Sequence, residues 1–280
     1  MNPIHATVPV LRRFLADFPR LVVISGAGVS IASGIPAYRD RAGVWQHSPP
    51  ITHQEFVSDP ARRRRYWARS LLGWPTVRDA RPNGAHLALA RLEQRGHVHL
   101  LITQNVDRLH QRAGSAAVID LHGRVDRVRC LACAATVPRE VIQQQLLRDN
   151  PGPGSHAAAV RPDGDADIGD ELIAEMTIPT CAGCGGTLMP DVVFFGGTVP
   201  RERVDACRDA IAEADALLAV GSSLQVYSGF RFCRLARDLG KPIAIINPGT
   251  TRGDPLATVK LAADCEPLLA ALAQGSGSGR

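Results

Sequence analysis

The chain is predicted to be α/β, a doubly wound parallel sheet with a smaller inserted domain. Two observations predict it. Short apolar runs alternate with segments of helical periodicity along most of the 280 residues, the pattern of parallel strands buried between two helical layers. Two stretches, residues 40–80 and 124–189, break that alternation and read as insertions that pack together beside the sheet.

Each element follows from local pattern. Leu11, Phe14, Leu15 and Phe18 fall at helical spacing, which predicts an amphipathic helix over 8–18. Leu21-Val22-Val23-Ile24 is an apolar run that reads as a buried strand over 21–25. Residues 40–80 read as helical, with Arg62 to Arg65 on an exposed turn. Asn83 is placed to cap a helix through Glu93, with Gly96 as its stop. Val98 to Thr103 is a second buried strand and Val118 to Leu121 a short third. Helix 201–213, strand 215–220, helix 229–239 and strand 242–246 complete the alternation. Residues 124–189 read mostly as loop, because Pro151 to Ser155 and Arg161 to Asp165 are rich in breakers. The expected division is a Rossmann-type unit of 1–39, 81–123 and 190–275, a small domain of 40–80 and 124–189, and a flexible tail, 276–280.

Composition narrows the class. The chain is 45% hydrophobic and 21% charged, enough to bury a sizeable core. No apolar run approaches the ~20 residues that span a bilayer, and no secretory leader is read around Arg12-Arg13, so no membrane partner and a cytoplasmic location are expected (the mitochondrial matrix in a eukaryote). The net charge of +5 reads as a solvated basic surface; nucleic acid is not expected, because no aromatic residues interleave the basic ones. Seven cysteines, four of them in two pairs, point to a reduced compartment and a metal site rather than to disulfides. Oligomeric state is left open.

Chemistry concentrates at the predicted strand ends. The run Ser25 to Pro36 is rich in glycine and follows a strand directly, so its free N–H groups suit a pyrophosphate; the alternative is an ordinary turn. Thr103-Gln104-Asn105-Val106-Asp107 ends the second strand, where an open parallel sheet binds ligands; the alternative is a helix cap at Asn105 or Asp107. His110 reads as structural. His122, between Leu121 and Gly123, follows the third strand and has the residue type of a general base near neutrality, or it is a structural histidine. Gly221-Ser222-Ser223 and Asn247-Pro248-Gly249 follow two further strands, and with the first loop they line one dinucleotide cleft. Cys130-x-x-Cys133 and Cys181-x-x-Cys184 supply four ligands for a tetrahedral structural zinc. The 47 residues between the pairs exceed a ribbon's usual spacing, and the alternative is two unrelated pairs.

In this order, the pieces resemble the sirtuin family of NAD-dependent protein lysine deacylases. The matching runs are Gly26-Ala27-Gly28-Val29-Ser30, Ser33-Gly34-Ile35-Pro36, Tyr38-Arg39-Asp40, Thr103 to Asp107, Leu121-His122-Gly123, the four cysteines, Pro190 to Gly196, Gly221 to Ser223 and Asn247 to Gly249. Arg65 to Arg69, Gly73-Trp74-Pro75 and Gly221 to Gly229 are most similar to class II, that of the mitochondrial lipoamidase/deacylase member. The resemblance implies a Rossmann-like large domain, a zinc-holding small domain, and NAD meeting an acyl-lysine protein or peptide in the cleft between them. It implies that the loop from Gly26, Ala27, Gly28 and Ser30 through Ser33, Ile35, Tyr38 and Arg39 closes over NAD. Gln104, Asn105 and Asp107 hold the nicotinamide ribose. Gly221, Ser222, Ser223, Asn247, Gly249 and the Cys265 backbone hold the adenosine half. Val193, Phe195 and Gly196 line the acyl-lysine channel. His122 is the implied base, with Asn105 and Asp107 beside the reacting centre: the acyl oxygen attacks C1′ of the ribose, nicotinamide leaves, and the acyl group ends on ADP-ribose.

The chain departs from the family twice: Ala37 and Gly197 stand where acidic residues are usual. Tyr66 and Arg69 are three apart and share a helix face; the pair resembles the one that sirtuins selective for acidic acyl groups use on the acyl carboxylate. Succinyl-, glutaryl- or methylglutaryl-lysine is therefore the expected preference, against a plain basic helix. Mono-ADP-ribosyl transfer from the same cleft and a non-enzymatic zinc module on a dead scaffold are the rival readings. Segment 141–180 has no assigned role.

Overall fold

The computed structural model describes residues 3–38, 40, 44, 50–151, 160–161, 165–166 and 173–274. Arg39, the tail 276–280 and much of segment 141–180 lie outside the described residues. The chain runs α1 (Pro3–Asp17), β1 (Leu21–Ser25), α2 (His53–Ser58), α3 (Pro60–Asp79), α4 (Gly84–Gln94), β2 (Val98–Thr103), α5 (Leu109–Arg112), β3 (Val118–Asp120), β4 (Gly123–Cys130), β5 (Thr136–Pro138), α6 (Arg139–Asp149), β6 (Val160–Arg161), β7 (Asp165–Ala166), β8 (Leu188–Val192), α7 (Arg201–Glu213), β9 (Ala216–Val220), α8 (Tyr227–Asp238), β10 (Ile243–Ile246), β11 (Val259–Leu261) and α9 (Cys265–Gln274).

Six strands form one parallel sheet in the order β11-β10-β9-β1-β2-β3. From β1 the chain builds outward through β2 and β3, then returns to the other side of β1 for β9, β10 and β11. That is the doubly wound order, and its switch point lies between β1 and β9. Every residue of β1 is buried. Leu21 and Val23 face a core shared with α1, α4 and α9. Val22 and Ile24 face a second core shared with α7 and α8. A strand covered on both faces needs apolar residues at every position, which is why Leu21-Val22-Val23-Ile24 does not alternate.

The insertions form their own core. Phe56, Trp67 and Leu71 of α2 and α3 pack on Ile142 and Leu146 of α6, and on Val128 and Met189 of an antiparallel sheet ordered β5-β4-β8. Three sequence expectations are corrected here. Arg62 to Arg65 lie in the first turns of α3, not on a turn: the Asp59 carboxylate accepts the Ala61 and Arg62 N–H groups and Pro60 opens the helix. The described part of 124–189 is not mostly loop, for it holds β4, β5 and α6. Its pattern is masked by polar residues on or beside buried faces. Arg124 pairs with Asp126 and Arg127 with Asp191 along β4, and Arg139 and Gln143 of α6 are buried, donating to Ser70 and to the Leu71 carbonyl of α3. The first helix also starts earlier than its apolar spacing implies, since Pro9 removes only one i→i−4 donor.

Candidate active site

The carboxyl ends of β1 and β9 diverge at the switch point, and the loops that follow touch. The Gly28 N–H donates to the Gly221 carbonyl at 2.8 Å. A Cβ on Gly28 would lie 2.7 Å from that oxygen, so only glycine permits two backbones this close. The first loop continues into two short 3-10 turns, Ala27–Val29 and Ile31–Ser33, not into an α-helix.

The second strand end locks this loop. The Asn105 amide donates to the Gly26 carbonyl (3.1 Å) and to Ser30 Oγ (3.0 Å). Ser30 Oγ donates to Asp107 Oδ2 at 2.7 Å, and Asp107 Oδ1 accepts the Leu109 N–H. Gln104 Nε2 donates to Ser222 Oγ at 2.8 Å and to the Ser25 carbonyl, so one side chain spans both loops of the crevice. Burial pushes the Asp107 carboxyl up, while the Leu109 N–H and the Ser30 hydroxyl hold it back. His110 lies behind, with Nε2 against Ser25 Oγ at 2.9 Å; it is structural.

These ends surround a cleft of about 1260 Å³. Gly26, Ala27, Gly28, Tyr38, Gln104, Asn105, His122, Gly221, Ser222, Ser223, Asn247, Gly249 and Cys265 line it, as do Tyr66, Arg69, Val193, Phe195 and Gly196. Four expected residues are not on its described wall. Ser30 holds Asp107 and Asn105, Ser33 Oγ accepts from the Asn83 amide at 2.9 Å, and Ile35 packs with Trp74 and Val106. Asp107 lines a separate cavity of about 230 Å³ beside Trp74, Arg78 and Arg112. Cys265, at the start of α9, has its thiol pushed up to about 12 by burial, and Sγ donates to the Gly28 carbonyl at 3.5 Å.

His122 sits between the two sheets. Nδ1 lies 3.0 Å from the Gln104 carbonyl, which can only accept, so Nδ1 carries the proton. Nε2 is then the free acceptor, and it meets Ser228 Oγ at 2.7 Å. Burial lowers the imidazole to about 4, the Gln104 carbonyl opposes that shift, and Arg231 and Arg203 add to it. The ring is therefore neutral at neutral pH. The His122 carbonyl accepts the Val193 N–H at 2.8 Å, and Gly123 turns the chain into β4 at φ +85°, where a Cβ would strike the Asp191 carbonyl. β8 thus runs from the small-domain core to Val193 on the cleft wall.

Tyr66 packs edge-on against Phe56, Trp67 and Phe194, and Arg62, Arg65, Arg69 and Glu55 line the same cleft, Arg62 paired with Glu55 at 3.5 Å. Tyr38 lies 6.0 Å from Phe195, edge to face. Sequence reasoning missed Ser228, Arg231, Phe194 and Arg62 on this wall. Ser228 and Arg231 are i, i+3 at the start of α8, and that spacing was the available signal.

The cysteines converge at the other end of β4 and β8. All four Sγ atoms lie within 4.8 Å of one another, with Cys130–Cys184 at 3.6 Å and Cys133–Cys181 at 3.8 Å. A tetrahedron of Zn–S bonds of ~2.3 Å requires S···S separations of about 3.8 Å, so the donor set fits one zinc ion. The Ala132 N–H donates to Cys130 Sγ at 3.4 Å, as a thiolate ligand favours. With four protein ligands no position remains for substrate, so the zinc is structural.

A dinucleotide cleft at the switch point of a doubly wound sheet, joined by β8 to a four-cysteine zinc module, defines a two-part NAD enzyme in which neither part completes the cleft alone. The Sir2 family model matches residues 26–228, and the chain belongs to that family. It is 54% identical over 271 residues to an NAD-dependent protein deacetylase of Xanthomonas campestris pv. campestris, covering 97% of this chain and 92% of that protein. Among solved structures it is similar to a Sir2 with a deacetylated p53 peptide and 3′-O-acetyl ADP-ribose (TM-score 0.77, 29% identity, 96% and 98% covered). It is likewise similar to a Sir2 with a p53 peptide and NAD+ (TM-score 0.75, 29% identity, 92% and 94% covered).

Proposed function

We propose that this chain is an NAD-dependent protein deacylase that transfers the acyl group of an acyl-lysine to ADP-ribose, and that it prefers acidic acyl groups. One observation carries the deacylase reading: the Nε2 lone pair of a neutral histidine lies on the same wall as the switch-point loops and the strand end at Val193. NAD is a co-substrate here. Its ribose lies by Gln104 and Asn105, its adenosine half by Ser222, Asn247 and the start of α9, and the acyl-lysine enters beside Val193, Phe195 and Gly196. The acyl oxygen displaces nicotinamide at C1′ of the ribose. His122 Nε2 then takes the proton of a ribose hydroxyl as its oxygen attacks the acyl carbon; the lysine amine leaves, and water supplies the carbonyl oxygen of the ester on ADP-ribose while the original acyl oxygen stays on C1′. A neutral imidazole whose Nδ1–H is anchored on the Gln104 carbonyl suits that task, because its free nitrogen is fixed in direction.

The acyl preference is supported by Arg65 and Arg69, which line the cleft with Tyr66. A guanidinium grips a carboxylate through two parallel hydrogen bonds. The experiment is a panel of matched acetyl-, succinyl-, glutaryl- and methylglutaryl-lysine peptides with NAD, on wild type and His122→Ala, with products weighed by mass spectrometry. Deacylated peptide with O-acyl-ADP-ribose, lost in His122→Ala, is expected. ADP-ribosylated protein with no deacylated peptide would overturn the reading.

A further inference from the structure

The base has a partner that the reaction described above does not use. Gln104 O accepts from His122 Nδ1, so Nε2 has no proton, and the hydroxyl 2.7 Å away must be the donor. That hydroxyl belongs to Ser228, in the first turn of α8. The same turn packs on the residue that supports the ring: a Cβ at Gly229 would stand 2.5 Å from Gln104 Oε1 and push that amide aside. Ser228 and Arg231 both line the cleft. The charged groups acting on the ring are Arg231 of α8 and Arg203 of α7; both are cationic, so neither supplies the ring with a counter-charge.

We infer that Ser228 is a positioning residue of the base: its hydroxyl donates to His122 Nε2 in the free enzyme, holds the Nδ1–H tautomer, and gives up that place to a ribose hydroxyl when NAD binds. No bond is made or broken in the exchange. One donor replaces another on the same lone pair, and the proton that later moves is the ribose's. The inference rests on the deacylase reading only for the identity of the incoming hydroxyl; the hold on the free ring stands without it. A donor on the lone pair stabilises the neutral ring and so lowers its basicity.

The test is the titration of His122 in the free, zinc-loaded protein, followed by ring-nitrogen NMR in wild type, Ser228→Ala and Ser228→Thr, beside the pH profile of kcat/KM for NAD. The expected result is a midpoint higher by about half a unit to one unit in Ser228→Ala, the size of one neutral hydrogen bond. The acidic limb of kcat/KM should rise with it, and Ser228→Thr, which keeps the hydroxyl, should restore both. An unchanged midpoint in Ser228→Ala, or equal shifts in the Ala and Thr variants, would overturn the inference. Wild-type protein that fails to deacylate any peptide would instead sink the functional reading, because the NMR midpoints are measured without substrate.

Discussion

His122, the proposed base, is neutral before any substrate arrives. Its ring is lowered to about 4, chiefly by burial, so the proton-accepting form fills the whole neutral range. The acidic limb of kcat/KM should therefore lie well below 6.5 and fall only toward about 4, as a pH series of initial rates would show. Replacing the ring should cost roughly 100- to 10,000-fold in kcat while the Val193 strand end keeps its place, since the carbonyl at this position, not the ring, holds it; an unchanged kcat would count against the base. Arg69→Ala should lower kcat/KM for succinyl- or glutaryl-lysine by roughly 10- to 100-fold, the worth of a charge-assisted hydrogen bond, and leave acetyl-lysine within about twofold; equal losses on both peptides would count against the acyl preference. At this scale the sequence was informative where a residue type has few uses. The four cysteines were legible because few other residues hold zinc at that spacing, and the cleft position of His122 was legible because it follows a strand end. Ser228 was not, because serine at a helix start is most often only a capping or solvated residue.

Among the elements, β4 carries the greatest burden. It begins at Gly123, one residue past the base, and ends at Cys130, a zinc ligand. Beside it, antiparallel, β8 leads from the cysteine knuckle to Val193. Zinc therefore closes one end of a two-stranded ladder whose other end forms part of the cleft wall. Removing the metal with a chelator should abolish deacylation and loosen the core around Trp67 and Phe56, read as lost tryptophan near-UV signal, while the six-stranded sheet keeps its far-UV signature. Retained activity in zinc-free protein would contradict this. The large sheet was legible from runs such as Val98 to Thr103, because strands buried on both faces leave no polar residues to confuse the pattern. β4 and α6 were not, because Arg124, Arg127, Arg139 and Gln143 sit where apolar residues would have announced a strand or a helix. Their polar groups are satisfied by tertiary partners that no local window contains.

Between pH 4 and 6.5 three desolvated imidazoles make the whole molecule depend on pH. His86 and His122 are lowered to about 4 and His110 well below its ordinary value, each chiefly by burial. A histidine whose folded value is depressed binds fewer protons folded than unfolded. Its contribution to stability is thus complete above 6.5 and is lost as pH falls toward 4, on the order of 3 kcal/mol each for His86 and His122. Asp107, pushed up by burial, works in the opposite sense at the acid end. The melting temperature should be level between about pH 7 and 8 and drop between 6.5 and 4, and His86→Gln should flatten that drop; above about pH 9 it should fall again, because Cys207, Cys233 and Cys265, pushed up to about 12 by burial, stay protonated folded but ionise unfolded. How the insertions meet the large sheet was legible only as order along the chain, since contacts such as the His53 N–H on the Phe195 carbonyl link residues more than a hundred positions apart. One such contact reaches further. Because the amide of Val193 hangs on the carbonyl of His122, the cleft wall proposed to take the acyl chain and the nitrogen proposed to accept the proton share one hydrogen bond. An engineer who reshapes that wall by moving its backbone will also misaim the imidazole, whereas one who trims side chains at Phe195 or Tyr66 can retune selectivity and leave the chemistry in register.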